Sequence, residues 1–207
     1  MKTACLLVLV AVLGCGGGGD SSCGKVQPCG GDVVGAWKLQ SGCALGEAAT
    51  DLIAADLCAD ATGDVAIVGG TAAVTFNADQ SYVQTGDVEM EFHLTLPMSC
   101  FAEGGTCADL KAAYAEAMAT DPRFKATTCA ASGSACVCNI RLVLDVGESG
   151  TYSSTATSLT TRTTGGPATT AQYCVQGDEL HNIDVDMAMP GPMGMANITF
   201  DTVFKRQ

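Results

Sequence analysis

Asp87-Val88-Glu89-Met90-Glu91-Phe92-His93-Leu94-Thr95-Leu96 is the stretch whose reading decides the fold. Val88, Met90, Phe92, Leu94 and Leu96 occupy every second position, with Asp87, Glu89, Glu91, His93 and Thr95 between them. Successive side chains of a strand point to opposite faces, so this decamer predicts a strand with one apolar and one wet face. Such half-buried strands belong to antiparallel sheets, because buried parallel strands read as continuous apolar runs. Ile140, Leu142 and Leu144 repeat the alternation. So do Ile183, Val185, Met187 and Met189, and then Ile198, Phe200 and Phe204.

Turn-forming clusters separate these runs: Asn77-Ala78-Asp79-Gln80, Glu148-Ser149-Gly150, Gly165-Gly166-Pro167, Gln176-Gly177-Asp178 and Pro190-Gly191-Pro192. Strands are expected near 33–40, 64–76, 81–97, 136–146, 151–163, 169–175, 180–189 and 196–205, connected mainly as hairpins. About eight strands with one apolar face must close on themselves or acquire a cover. The fold class is therefore all-β with short helical insertions, an antiparallel barrel stapled by disulfides. One insertion is expected near 106–120, where Thr106-Cys107-Ala108-Asp109 resembles a capping box and Leu110, Tyr114 and Met118 follow at helical spacing. The other is expected near 46–58, where Leu52, Ile53 and Leu57 sit among alanines.

The chain has 207 residues, a formal net charge of -12 and a pI of about 4.3. So acidic a chain is ill suited to nucleic acid or anionic headgroups, which select basic patches. Its N-terminus carries an address. Met1-Lys2-Thr3 is a short positive start, and Leu6 to Leu13 is an apolar run too short to cross a bilayer but of the length of a signal-peptide core. Val12-Leu13-Gly14-Cys15 resembles the lipobox of bacterial lipoproteins. That resemblance implies a lipoprotein signal peptide over 1–14 and acylation of Cys15, which becomes the mature N-terminus. Several acyl chains on Cys15 would hold the protein on a membrane of the bacterial cell envelope. Gly16-Gly17-Gly18-Gly19-Asp20-Ser21-Ser22 opens a flexible tether assigned to 15–32, and the folded domain is expected over 33–207.

Setting aside Cys5 in the signal and Cys15 for the lipid, ten of the 12 cysteines remain: Cys23, Cys29, Cys43, Cys58, Cys100, Cys107, Cys129, Cys136, Cys138 and Cys174. An even number in an exported chain predicts a disulfide framework. Metal ligation is the alternative, but Cys136-Val137-Cys138 lacks a second ligand pair. Cys136 and Cys138 share one strand face, so each is expected to reach a different partner. The sequence-local pairs Cys23–Cys29 and Cys43–Cys58 are the pairings short separation suggests.

Gly35-Ala36-Trp37 opens the first expected strand and Lys205-Arg206 closes the last. This resembles the lipocalin and lipocalin-like barrels, and the layout resembles Cys-rich bacterial lipoproteins carrying such a domain. The resemblance implies that Gly35 and Trp37 lie at the closed base of the barrel, with Arg206 packed over the indole. Two features of that family are missing: a Thr-Asp-Tyr turn motif, since Thr120-Asp121-Pro122 falls in the helical insertion, and a helix after the last strand. The implied function is non-catalytic binding of a small apolar ligand, with Val88, Met90, Phe92, Leu94, Ile183, Val185 and Phe200 facing it. The alternative is a side-chain-filled barrel serving as a protein–protein interaction module through its loops and helices.

Chemistry-bearing residues are sparse. Neither His93 nor His181 is accompanied by a nucleophile elbow, no zinc-protease or phosphate-loop motif is present, and no cofactor or enzymatic activity is expected. His93 reads as a surface residue; His181 shares parity with Ile183 and Val185. Met187, Met189, Met193 and Met195 flank Pro190-Gly191-Pro192, a thioether set that would suit Cu(I), although strand parity reads Met187 and Met189 as core. The pairs Glu89/Glu91 and Asp184/Asp186 lack calcium-loop spacing. Asn197-Ile198-Thr199 is a glycosylation sequon placed inside an expected strand.

Overall fold

The computed structural model describes residues 26–44, 58, 60–101, 104–191 and 194–207, with backbone only for 117, 184, 186–191 and 194–198. The signal peptide, Cys15 and most of the 46–58 segment lie outside the described residues. Twelve strands form one sheet: β1 (Gly35–Ala44), β2 (Thr62–Gly70), β3 (Ala73–Phe76), β4 (Ser81–Thr85), β5 (Asp87–Pro97), β6 (Phe124–Ser132), β7 (Ala135–Asp145), β8 (Glu148–Ser154), β9 (Ser158–Thr163), β10 (Ala168–Gln176), β11 (Glu179–Gly191) and β12 (Gly194–Arg206). The helix α1 (Cys107–Thr120) joins β5 to β6.

Every strand pairing is antiparallel, and the circuit β1-β3-β4-β8-β9-β10-β11-β12 closes because β12 returns to β1. The result is a closed eight-strand barrel. Closure leaves these strands no unpaired edge within the barrel. The remaining strands extend it at one end. There β1 passes from β3 to β2, and β2, β5, β7 and β6 continue as a flared sheet.

The expected strands 64–76 and 81–97 are each a pair of shorter strands, β2/β3 and β4/β5. Their breaks face one another. Gly70 and Gly86 both have positive φ, and an added Cβ would lie 2.2 Å from Asp87 O at Gly70 and 2.6 Å from Thr71 O at Gly86. Only glycine permits that crossing, and it bends both strands from barrel into flare. The expected strand 151–163 is a hairpin of β8 and β9 instead, turned at 155–157. Thr155 Oγ1 accepts there from the backbone N–H of Ser158, at 3.0 Å. A Ser/Thr turn of this kind carries no Gly or Pro to announce it. Strand β6 is an addition to the expected set.

The inner face holds two packed regions. In the barrel, Trp37, Leu39, Val74, Phe76, Tyr82, Val88, Met90, Tyr173, Leu180, Phe200 and Phe204 form the core. In the flare, Leu94, Leu96, Cys136, Cys138, Ile140 and Leu142 form a second cluster against Leu110 and Tyr114 of α1. Phe92 touches both. Helix α1 thus covers the apolar face that the open sheet would otherwise expose. Its start is capped as expected: Thr106 Oγ1 accepts from Asp109 N–H at 3.3 Å, and Asp109 Oδ2 accepts from Thr106 N–H at 2.8 Å.

All nine cysteines among the described residues are disulfide-bonded. The bridges Cys29–Cys174, Cys58–Cys100, Cys107–Cys136 and Cys129–Cys138 replace the expected sequence-local pairs. Cys136 and Cys138 do reach different partners, one tying down the start of α1 and the other β6. Local pairing fails because Cys29 is carried across the barrel base to β10, at a sequence separation of 145.

Candidate ligand cavity

The base of the barrel is built from both ends of the chain. Residues assigned to the tether begin it: Cys29 is bonded to Cys174, and Cys29 N–H and Gly30 N–H donate to Tyr173 O, each at 3.1 Å. Val33 is buried, and its carbonyl accepts from Trp37 Nε1–H at 2.7 Å. The Arg206 guanidinium lies 4.2 Å from the Trp37 ring centroid and donates to Val34 O at 2.9 Å and Asp32 O at 3.2 Å. Gly35 makes room for it. Its φ is 137°, and a Cβ there would come within 2.8 Å of Arg206 Nη1. Gly35, Trp37 and Arg206 therefore form one contact set that seals this end.

Beyond that seal the barrel is not filled. An open cavity of about 390 Å³ is enclosed by β3, β4, the β7–β8 junction, β9, β10, β11 and β12. Its apolar lining includes Val74, Phe76, Leu159, Val185 and Phe204. Its polar lining includes Gln84, Asp145, Glu148, Thr161, Thr169 and Asn182. Cross-strand register explains the polar lining. Gln84 pairs with Glu148 and follows the inward Tyr82 by two residues. Thr161 pairs with Thr169 and lies two residues from the inward Leu159. Asn182 pairs with Thr202 and lies two residues from the inward Leu180.

Three features define the chemistry of this cavity. Tyr82 is buried, and its hydroxyl donates to Glu148 Oε1 at 2.7 Å. Burial first, and then Glu148, push its phenol well above the ordinary tyrosine range. Asn182 Oδ1 is buried without a hydrogen-bond partner. Among the described residues, no Lys, Arg or His lines the cavity.

Of the seven residues expected to face a ligand, Val185 lines the cavity, whereas Val88, Met90 and Phe200 are packed into the core beside it and Leu94 belongs to the flare cluster. Ile183 is a correction. The β11–β12 register shifts between Asn182 and Val185, so two residues of β11 face one of β12. That bulge turns Val185 inward and leaves Ile183 outside with His181, in a small pocket under Val26. His181 lies 3.3 Å from Glu179 there, and His93 bonds Asn139 at 2.7 Å on the exposed face. Glu89 and Glu91 are engaged by Arg141 at 3.2 and 3.4 Å. The backbone of Met187, Met189 and Met195 lies in the β11–β12 hairpin; the thioethers of these three and Met193 lie outside the described residues.

Gln84, Glu148, Thr161 and Asn182 were not singled out from sequence. Their signal was present but inverted. On β4 the outward Val83 is 44% exposed while the inward neighbours are Tyr82 and Gln84. Comparison with protein-family models, curated proteins and solved structures finds no match for this chain.

Proposed function

We propose that this protein is a non-catalytic, lipid-anchored envelope protein that carries a small amphipathic molecule in its barrel. The observation that supports the reading best is the open cavity of about 390 Å³ with a mixed polar and apolar lining. That volume falls within the range of about 300–1,000 Å³ typical of small-molecule sites. A barrel serving only as a scaffold for surface contacts would have its interior packed by its own side chains. The polar lining refines the expectation of an apolar ligand to one with a polar end. Anchoring rests on the lipobox around Cys15, and the disulfide-rich domain suits an oxidising compartment.

Uptake of the neutral dye N-phenyl-1-naphthylamine tests the cavity. The chain should enhance and blue-shift its fluorescence saturably. Ala171→Trp, which fills the cavity from β10, should abolish the signal while leaving the circular dichroism unchanged. Equal uptake by both proteins would place the dye elsewhere and overturn the reading.

A further inference from the structure

We infer that the ligand is an organic cation: a primary or secondary ammonium on a compact apolar body. This inference rests on the carrier reading above and specifies the chemistry of its site. The cavity presents acceptors and no fixed cation. Glu148 and Asp145 belong to its polar lining, and among the described residues no basic one lines it to neutralise them. Tyr82 occupies only Oε1 of Glu148, which leaves Oε2 to accept from a ligand N–H. The Tyr82 hydroxyl also holds that carboxylate in place over the cavity.

Asn182 Oδ1 is the independent observation. A buried acceptor without a partner costs about 1–3 kcal/mol, and native proteins contain few of them. This one belongs to a side chain that lines both the cavity and the small pocket beside His181, and a rotation of its amide toward the cavity would let a donor bound inside satisfy it. A fatty-acid or phosphate ligand fits poorly. Its anionic head would meet two carboxylates without a compensating Lys or Arg, in a chain whose net charge of -12 repels anions. An ammonium inverts each of these terms. Its N–H groups are charge-assisted donors to Glu148, and its apolar body covers Val74, Phe76 and Phe204.

Isothermal titration of the full chain carrying Cys15→Ser with n-octylamine, n-octanol and octanoate tests the inference. These probes share one apolar body and differ in the head. Octylammonium is expected to bind at least about tenfold more tightly than octanol, the gain of one hydrogen bond to a charged group, with octanoate weakest. Glu148→Gln keeps an acceptor for Tyr82 but removes the charge, and should bring octylamine down to octanol. Glu91→Gln, on the outer face, should leave the preference unchanged. Octanol and octylamine binding alike in the unsubstituted cavity would overturn the cation inference and leave the carrier reading standing. A preference that survives Glu148→Gln combined with Asp145→Asn would overturn it as well. Failure of all three probes, together with absent dye uptake, would overturn the carrier reading itself.

Discussion

Arg206 shows how much closure can depend on one side chain. Its guanidinium covers the only tryptophan and caps the carbonyls of Asp32 and Val34, so it joins the last strand to the segment entering the first. Arg206→Ala should lower stability by about 0.5–2 kcal/mol, the range of a cation–π contact, and should shift Trp37 emission. Glu89→Ala, on the outer face, should do neither; equal effects in chemical denaturation would mean that the contact contributes nothing. Tyr82 gives a pH-dependent counterpart. Its native phenol holds its proton above the ordinary value of 10.0, while the unfolded chain releases it there. Above that pH the native state binds more protons than the unfolded state, so stability falls as pH rises toward the native value. Burial also raises Tyr114 and Tyr152, so absorbance titration at alkaline pH should show Tyr82 as the last of three late tyrosines, and Glu148→Gln should move it back toward the ordinary range without fully restoring it, because burial remains. A Tyr82 that titrates normally would contradict its placement.

At the scale of elements, the decamer 87–96 reads correctly because it lies in β5, where one face is buried at Val88, Met90, Leu94 and Leu96 and half-buried at Phe92. Val88 and Met90 enter the barrel core, while Leu94 and Leu96 enter the flare. Helix α1 was also legible, since its capping box is local. What escaped depends on partners distant in sequence. The bulge after Asn182 reverses the faces of β11, and an alternation pattern cannot register an extra residue that only the pairing with β12 reveals. The polar cavity lining escaped for a similar reason: Gln84 and Thr161 sit in strands whose inward face is polar, and hydropathy alone assigns such faces to solvent. The disulfides follow topology rather than spacing. Cys107–Cys136 fixes α1 to β7, so replacing both cysteines by serine should cost about 2–5 kcal/mol. It should also raise hydrogen exchange in α1 and β6 before the barrel strands. Uniform loss of protection across both regions would show that the helix is not a separately secured cover.

At the scale of the whole molecule, the proposed exported carrier would join an acylated Cys15 to the disulfide-stapled domain and its open cavity. Cys15→Ser should release the protein from the membrane fraction and end palmitate incorporation; persistence of either would remove the anchor from the account. Alkylation of the envelope-derived protein under denaturing, non-reducing conditions should add no mass. Four or more adducts would contradict the disulfide framework. The central claim is that the barrel carries a small molecule, and native mass spectrometry of the protein released from its own envelope tests it most directly. The account predicts a stoichiometric adduct beyond the acylated chain, lost on collisional activation and absent from Ala171→Trp. The acylated chain alone, at the same mass in both proteins, would contradict it.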